Sequence, residues 1–392
     1  MGDLTIKPAN DGHLLLQNDA GTTAIEIKND ENAVYISGDL VPSTPLSHRN
    51  MIINGAMNVA QRGASSIVQT YGTLDRWENY RTGFAGEVTF SQDPDAPAGF
   101  NNSMKMTNAS DEASLSAGDL GRFTQKIEAQ DCQQLAYGTD YAKISTLSFW
   151  VRSTVIGTGC VYILIEDDSD KQWSGSYPIS NSDTWEYKTL TIPANTASTI
   201  NDDNGIGLSI NWVLMAGATY TGGSSLSSSW EASTNNKLAY GQTNLLGGAS
   251  GREVQITGVQ LELGSSATPF EHRSYGEELA RCQRYFVDVI NKDQQYDFGG
   301  WGGNKGTTVI RFMVPLNVPL RATPSVVSAG TLYSWTADGE EQFSSPTVVG
   351  SQAIGGPALL MEKTGVSVTT PGSSGQVAGE TAGAYLWLDA EL

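Results

Sequence analysis

Histidine and cysteine are scarce in this chain, with three of each in 392 residues. His13, His48 and His272 are too few and too scattered to suggest a histidine triad or a metal cluster with recognisable spacing. Cys132, Cys160 and Cys282 are odd in number and form no CxxC pair, so reduced thiols are expected, not a zinc site or a disulfide framework. Charge is sparse at 17%, and basic charge sparser still: 23 Lys and Arg stand against 42 Asp and Glu, for a net −19. A field of that sign opposes phosphate binding, which depends on cationic side chains releasing counterions, so no nucleic-acid partner is expected. No apolar run reaches the ~18 residues of a membrane helix. The start, Met1-Gly2-Asp3-Leu4, lacks the basic residues and apolar stretch of a secretory signal.

What is present is glycine, at 43 residues, together with many short alternating segments. Such a chain reads as all-β with tight turns. The first part repeats a small unit: Leu4-Thr5-Ile6, Leu14-Leu15-Leu16, Ile25-Glu26-Ile27 and Val34-Tyr35-Ile36 recur at a spacing of roughly ten residues. Strands this short have too little apolar surface to fold alone. Several copies wound about one axis would cover it, which predicts an intertwined β shaft over residues 1–45. Pro42 and Pro45 end the repeat. Residues 46–273 carry strand patterns such as Ser103–Thr107, Leu147–Ser153, Val161–Ile165 and Gly207–Val213, which suit a two-sheet jelly-roll sandwich. Trp77 reads as buried, beside an Asp75–Arg76 polar pair at the domain edge. Residues 274–392 begin with the one convincing helix, Ser274 to Phe286. Ser274 and Glu277 have capping-box spacing, and Leu279, Cys282 and Phe286 share a face. A C-terminal β-sandwich tip follows.

Candidate chemistry is thin. Gly299 to Gly306 has the glycine density of a phosphate loop, but it lacks Ser or Thr after Lys305 and runs into a strand pattern. It reads as a flexible surface loop. Acidic pairs at Asp167-Asp168, Asp202-Asp203 and Glu340-Glu341 could in principle cleave glycosides, yet adjacent loop acids are ordinarily just solvated. No enzyme is expected. Asp167, Asp168 and Asp170, with Asp202 and Asp203, offer clustered hard oxygens suited to a structural calcium ion; solvated loop carboxylates are the alternative, and no other cofactor is suggested. Sugars stack their C–H faces on aromatic rings. Trp173, Tyr177 and Trp230, in polar and strand-poor surroundings, and Trp301 and Trp335 near the C-terminus, are the glycan-binding candidates. For each, packing on its own loop is the alternative. Trp150 alternates within a strong strand and reads as core or sheet-face structure.

Four phrases resemble bacteriophage tail-fibre and tip proteins, especially those of phages infecting marine and other Gram-negative bacteria: NMIINGAMNVAQRG at Asn50–Gly63 with TLDRW at Thr73–Trp77, LSFWVRS at Leu147–Ser153, ITGVQLELG at Ile256–Gly264 with ATPFEHR at Ala267–Arg273, and EELARCQRYF at Glu277–Phe286 with LDAEL at Leu388–Leu392. The second also looks like the central strand of carbohydrate-binding-module-like jelly rolls, and jelly rolls of this kind often hold a structural ion. The resemblance implies a homotrimer in the virion. Its N-terminus would face another tail or baseplate protein, and its C-terminal domain would meet a host-surface glycan or outer-membrane component. The expected function is multivalent, non-covalent receptor binding. A purely structural virion protein, such as a head fibre or baseplate spacer, and a glycan-degrading tailspike are the alternatives.

Overall fold

The computed structural model describes residues 14–17, 23–27, 34–36 and 47–392, apart from 85, 112–113, 169–170, 295–296, 337–338, 350–357, 369–371 and 380–382. The chain divides into two units, 1–47 and 48–392. In the first, Leu14–Gln17, Thr23–Ile27 and Val34–Ile36 form an antiparallel meander whose backbone register pairs position 14 with 27 and position 25 with 36. Three of the four repeat strands are therefore strands, each paired with its sequence neighbour. The Leu4–Ile6 strand lies outside the described residues.

The second unit begins with an antiparallel sandwich of jelly-roll type. One six-stranded sheet runs in the order Glu231–Ala232, Lys171–Ile179, Gly157–Ile165, Ile206–Ala216, Leu120–Glu128 and Glu78–Thr82. We call it the Trp212 sheet. The other, the Trp150 sheet, runs Glu186–Ile192, Ser145–Ser153, Glu253–Leu263, Ser103–Asn108, Val88–Asp93 and Ser65–Ser66. Their facing sides alternate as the two-residue period of a strand requires. Leu147, Phe149 and Val151 point inward against Val161, Ile163 and Trp212, all buried in one core. Trp212 stacks on Phe123 with ring centroids 5.0 Å apart and receives the edges of Trp77 and Phe149. The ends of the sandwich meet, as a closed fold needs: the backbone N–H of Asn50 donates to Glu271 Oε2 at 2.9 Å, and Arg273 Nη1 donates to the Ile52 carbonyl at 2.9 Å.

The helix spans Tyr275–Gln283, capped by Ser274, whose side chain accepts from the Glu277 N–H at 3.2 Å. It is shorter than its pattern predicts, because Phe286 already opens the strand Phe286–Ile290. Two C-terminal sheets follow. The three-stranded one orders Phe286–Ile290, Tyr385–Asp389 and Ser325–Ala329. The seven-stranded one orders Gly339–Phe343, Leu332–Thr336, Ser374–Gly379, Asp297–Lys305, Val309–Pro315, Ala358–Thr364 and Thr347–Val348. They enclose a second core around Ile310, Phe312, Val314 and Leu388. The 299–306 glycine stretch is therefore a central strand for most of its length, not a surface loop. The neighbouring backbones explain its composition: a Cβ on Gly302 would lie 2.0 Å from the Arg311 carbonyl oxygen.

A buried charge cluster joins this region to the sandwich. Arg76 pairs with Glu391 and donates to the Lys126 carbonyl at 2.6 Å, while its guanidinium lies 3.5 Å over the Tyr285 ring. Arg62 reaches Glu391 at 3.3 Å and Asp389 at 3.2 Å, and covers Phe286 at 3.6 Å. Asp75 and Arg76 thus do not form the expected edge pair: both are fully buried and have separate partners. Asp75 accepts from the Gln61 backbone at 3.1 Å. Trp77 is buried, as expected.

Candidate functional site

The outward side of the Trp150 sheet carries an aromatic cleft of about 560 Å³. Its floor comes from strand alternation. With Leu147, Phe149 and Val151 turned into the core, Ser148 and Trp150 must face out. Register sets Tyr187 of the edge strand directly across from Trp150, and the two rings lie 5.3 Å apart at 50°.

Two loops build the other wall. The segment after strand Glu253–Leu263 folds back over the sheet because Thr268 donates its N–H to Glu262 Oε1 at 2.8 Å and Glu271 donates its N–H to Gln260 Oε1 at 2.8 Å. This places Phe270 and His272 over the face. The loop holding Phe100 is fixed by Thr257 Oγ1, which donates to the Asn102 carbonyl at 2.7 Å. Phe100, Phe270 and His272 then form a triangle with centroid distances of 5.0, 5.3 and 4.9 Å. Between the walls sits Gly258, at a bulge in its strand with φ +62°. A Cβ there would come within 2.6 Å of the Phe100 ring and 3.1 Å of Trp150, so glycine keeps the floor open.

The lining contains no Asp, Glu, Lys or Arg. Of the hydroxyl side chains, Thr268 donates its own to Glu262 Oε2 at 2.6 Å, Ser148 is buried at 2% exposure, and Tyr187 is 44% exposed. Aromatic walls with no charged side chain in the lining favour an uncharged ligand with flat C–H faces over an ion.

The residues singled out from sequence separate into three groups. Trp173 and Tyr177 are core residues, which corrects their assignment to a glycan-contacting loop. They lie on the strand Lys171–Ile179, where positions 173, 175, 177 and 179 face inward. Their alternation is hidden in sequence by Ser174, Gly175 and Ser176. The Trp173 ring lies over Gly175, and the Tyr177 ring lies over Gly159 of the paired strand. Trp230 is half-buried against the same core; its Nε1 donates to the Pro193 carbonyl at 2.8 Å and its ring meets Tyr137 edge-on. Trp301, 63% exposed, and Trp335, whose Nε1 donates to Glu340 Oε2 at 3.3 Å, both stand on the outer side of the seven-stranded sheet.

The carboxylates do not converge on an ion site among the described residues, where no group of three or more His, Cys, Asp or Glu is placed to hold a metal. Asp167 accepts from the backbone and side-chain nitrogens of Asn201 at 3.0 and 2.9 Å, and Asp203 caps the turn at Gly205 at 2.8 Å. Asp168 is half-buried and Asp202 exposed, and Asp170 lies outside the described residues. The cleft itself escaped sequence reasoning. Its walls come from five separate segments, and the only local signal was that Trp150 sits out of phase with Leu147, Phe149 and Val151.

No family model and no curated protein matches the chain. Solved structures similar to part of it include the enzymatically active domain of tailspike protein 4 from bacteriophage CBA120. That domain is 15% identical over 55% of this chain and 21% of its own, with a TM-score of 0.29. This chain thus matches about a fifth of that one. Another is TmCBM61 in complex with β-1,4-galactotriose, 11% identical over 55% of this chain and 99% of its own, TM-score 0.27. A third is the family 11 carbohydrate-binding module of a Clostridium thermocellum cellulosomal cellulase, 12% identical over 54% and 98%, TM-score 0.26.

Proposed function

We propose that this chain is a phage tail fibre, part of the virion, that holds a host-surface glycan by reversible non-covalent contacts and makes or breaks no bond. The observation that carries this reading is the charge-free cleft between the Trp150–Tyr187 wall and the Phe100–Phe270–His272 wall. A sugar ring entering it would desolvate its C–H faces against aromatic surface, while the exposed Tyr187 meets its hydroxyls. One such contact is weak. Three on a rigid homotrimer gain strength through effective concentration, which is the use of a fibre. The amino-terminal strands would form the shaft and engage another tail or baseplate protein. The net charge of −19 fits a partner that is neither nucleic acid nor a bare anionic surface.

The test titrates the full-length protein with uncharged hexaoses of glucose, galactose, mannose and N-acetylglucosamine, followed by tryptophan fluorescence. Trp150→Ala is expected to weaken binding about threefold to tenfold without changing the unfolding midpoint. Equal binding by wild type and variant, or binding to none of the series, overturns the cleft assignment. Reducing ends released from host polysaccharide would make the protein a degrading spike instead. Light scattering should give three times 41.8 kDa, and a single-chain mass would refute the trimer.

A further inference from the structure

Strand register in the C-terminal domain lines up residues that are far apart in sequence. Across four adjacent strands of the seven-stranded sheet, Trp335 is paired with Gln376, Gln376 with Trp301, and Trp301 with Met313. Directly paired residues share a face, so this is one continuous row of side chains. The face is the outward one, because Ile310, Phe312 and Val314 on one of these strands turn into the core. Trp301 is 63% exposed and Met313 52%, and Phe298 lies beside Trp301 with rings 5.4 Å apart.

Three properties set this row apart from ordinary sheet covering. First, Trp301 is covered on one side only, by Phe298. Its next neighbour on the same face of the strand is Gly303, which has no side chain, and Arg311 across from Gly303 pairs with Glu362 on the strand beyond. Second, the centre of the row is uncharged, with an amide between two indoles; the carboxylate of Glu340 comes only at its end, opposite Trp335. Third, Trp335 and Trp301 stand two strands apart, which is roughly 9.6 Å. Alternate rings of an extended sugar chain are separated by a similar distance.

We infer that this row is a second saccharide site, independent of the sandwich cleft, on which a linear uncharged glycan lies across the strands, stacks alternate rings on Trp335 and Trp301, and meets Gln376 between them. It extends the proposed function: each chain would carry two glycan contacts, one enclosed and one flat, the flat one reading chain length more than ring identity.

The experiment uses full-length protein labelled with 5-fluorotryptophan, its fluorine resonances assigned by single Trp→Phe replacements, and the same uncharged hexaoses with the matching disaccharides. The expected result is a shift of the Trp301 and Trp335 resonances with at least one hexaose and a much weaker shift with its disaccharide. Trp301→Ala should weaken that interaction about threefold to tenfold. The shifts should persist in a Trp150→Ala background, so failure of the cleft and failure of this row are read separately. Unchanged Trp301 and Trp335 resonances with every sugar would overturn the inference. So would a light-scattering mass that falls in Trp301→Ala, because the face would then be a contact between copies.

Discussion

Glu391 is the residue on which the attachment of the C-terminal domain to the sandwich should depend most. Its side chain is 4% exposed and lies between Arg76 and Arg62, at 1% and 3%. Burial works to strip Arg76 of its proton, and the Glu391 carboxylate, with Tyr285 and Tyr71 beside it, together more than reverse that and hold the guanidinium above its ordinary value. In Glu391→Ala the two cations fare differently. Arg62 keeps Asp389 at 3.2 Å and Asp75 at 3.8 Å. Among the described residues Arg76 keeps the Lys126 carbonyl and the face of Tyr285, and no carboxylate pairs with it. One buried cation is stranded, at a cost of about 3 to 5 kcal/mol. Urea unfolding monitored by intrinsic fluorescence should show that loss, with the smaller core around Phe312 and Leu388 melting ahead of the sandwich. The double replacement Arg76→Met with Glu391→Leu should recover most of the stability, since removing both charges leaves nothing to desolvate. If Glu391→Ala unfolds within about 1 kcal/mol of wild type, or the double variant is no better than the single, the electrostatic account of this joint is wrong.

Two further outcomes are expected. Burial raises the Asp75 carboxyl from 3.8 to about 6 in the folded protein, so the folded state binds the extra proton and stability should rise as pH falls from about 6 towards 4. The gain is about 3 kcal/mol. Burial raises Asp288 to about 6 as well, but that group is partly exposed and should contribute less. The difference between wild type and Asp75→Asn across that window measures the Asp75 share, and a flat difference would refute it. Trp173→Ala should cost about 3 to 5 kcal/mol as a core truncation and leave saccharide affinity per folded molecule unchanged; a selective loss of binding with stability intact would return Trp173 to the ligand site.

Much of the architecture was legible because strand alternation is a local signal. The strands around Leu147–Ser153, Val161–Ile165 and Gly207–Val213 lie where the pattern places them, and the helix begins at its Ser274 cap. Two failures share one cause. Lys171–Ile179 and Asp297–Lys305 looked like loops because glycines occupy positions where a neighbouring ring or backbone needs the space. A glycine required by close approach is written the same way as a glycine required by a turn.

The amino-acid order alone determined an all-β chain, its capped helix, its acidic character and the inward phase of the sandwich strands, since each depends on residues within a few positions of one another. Which aromatics are available to a ligand was decided by the tertiary structure. Trp173 is sealed in the core, Trp150 is left at the floor of a cleft by loops from distant segments, and Trp301 and Trp335 are aligned by the register of four strands. Exposure and cross-strand register depend on what packs over and beside a residue, and those neighbours come from elsewhere in the chain.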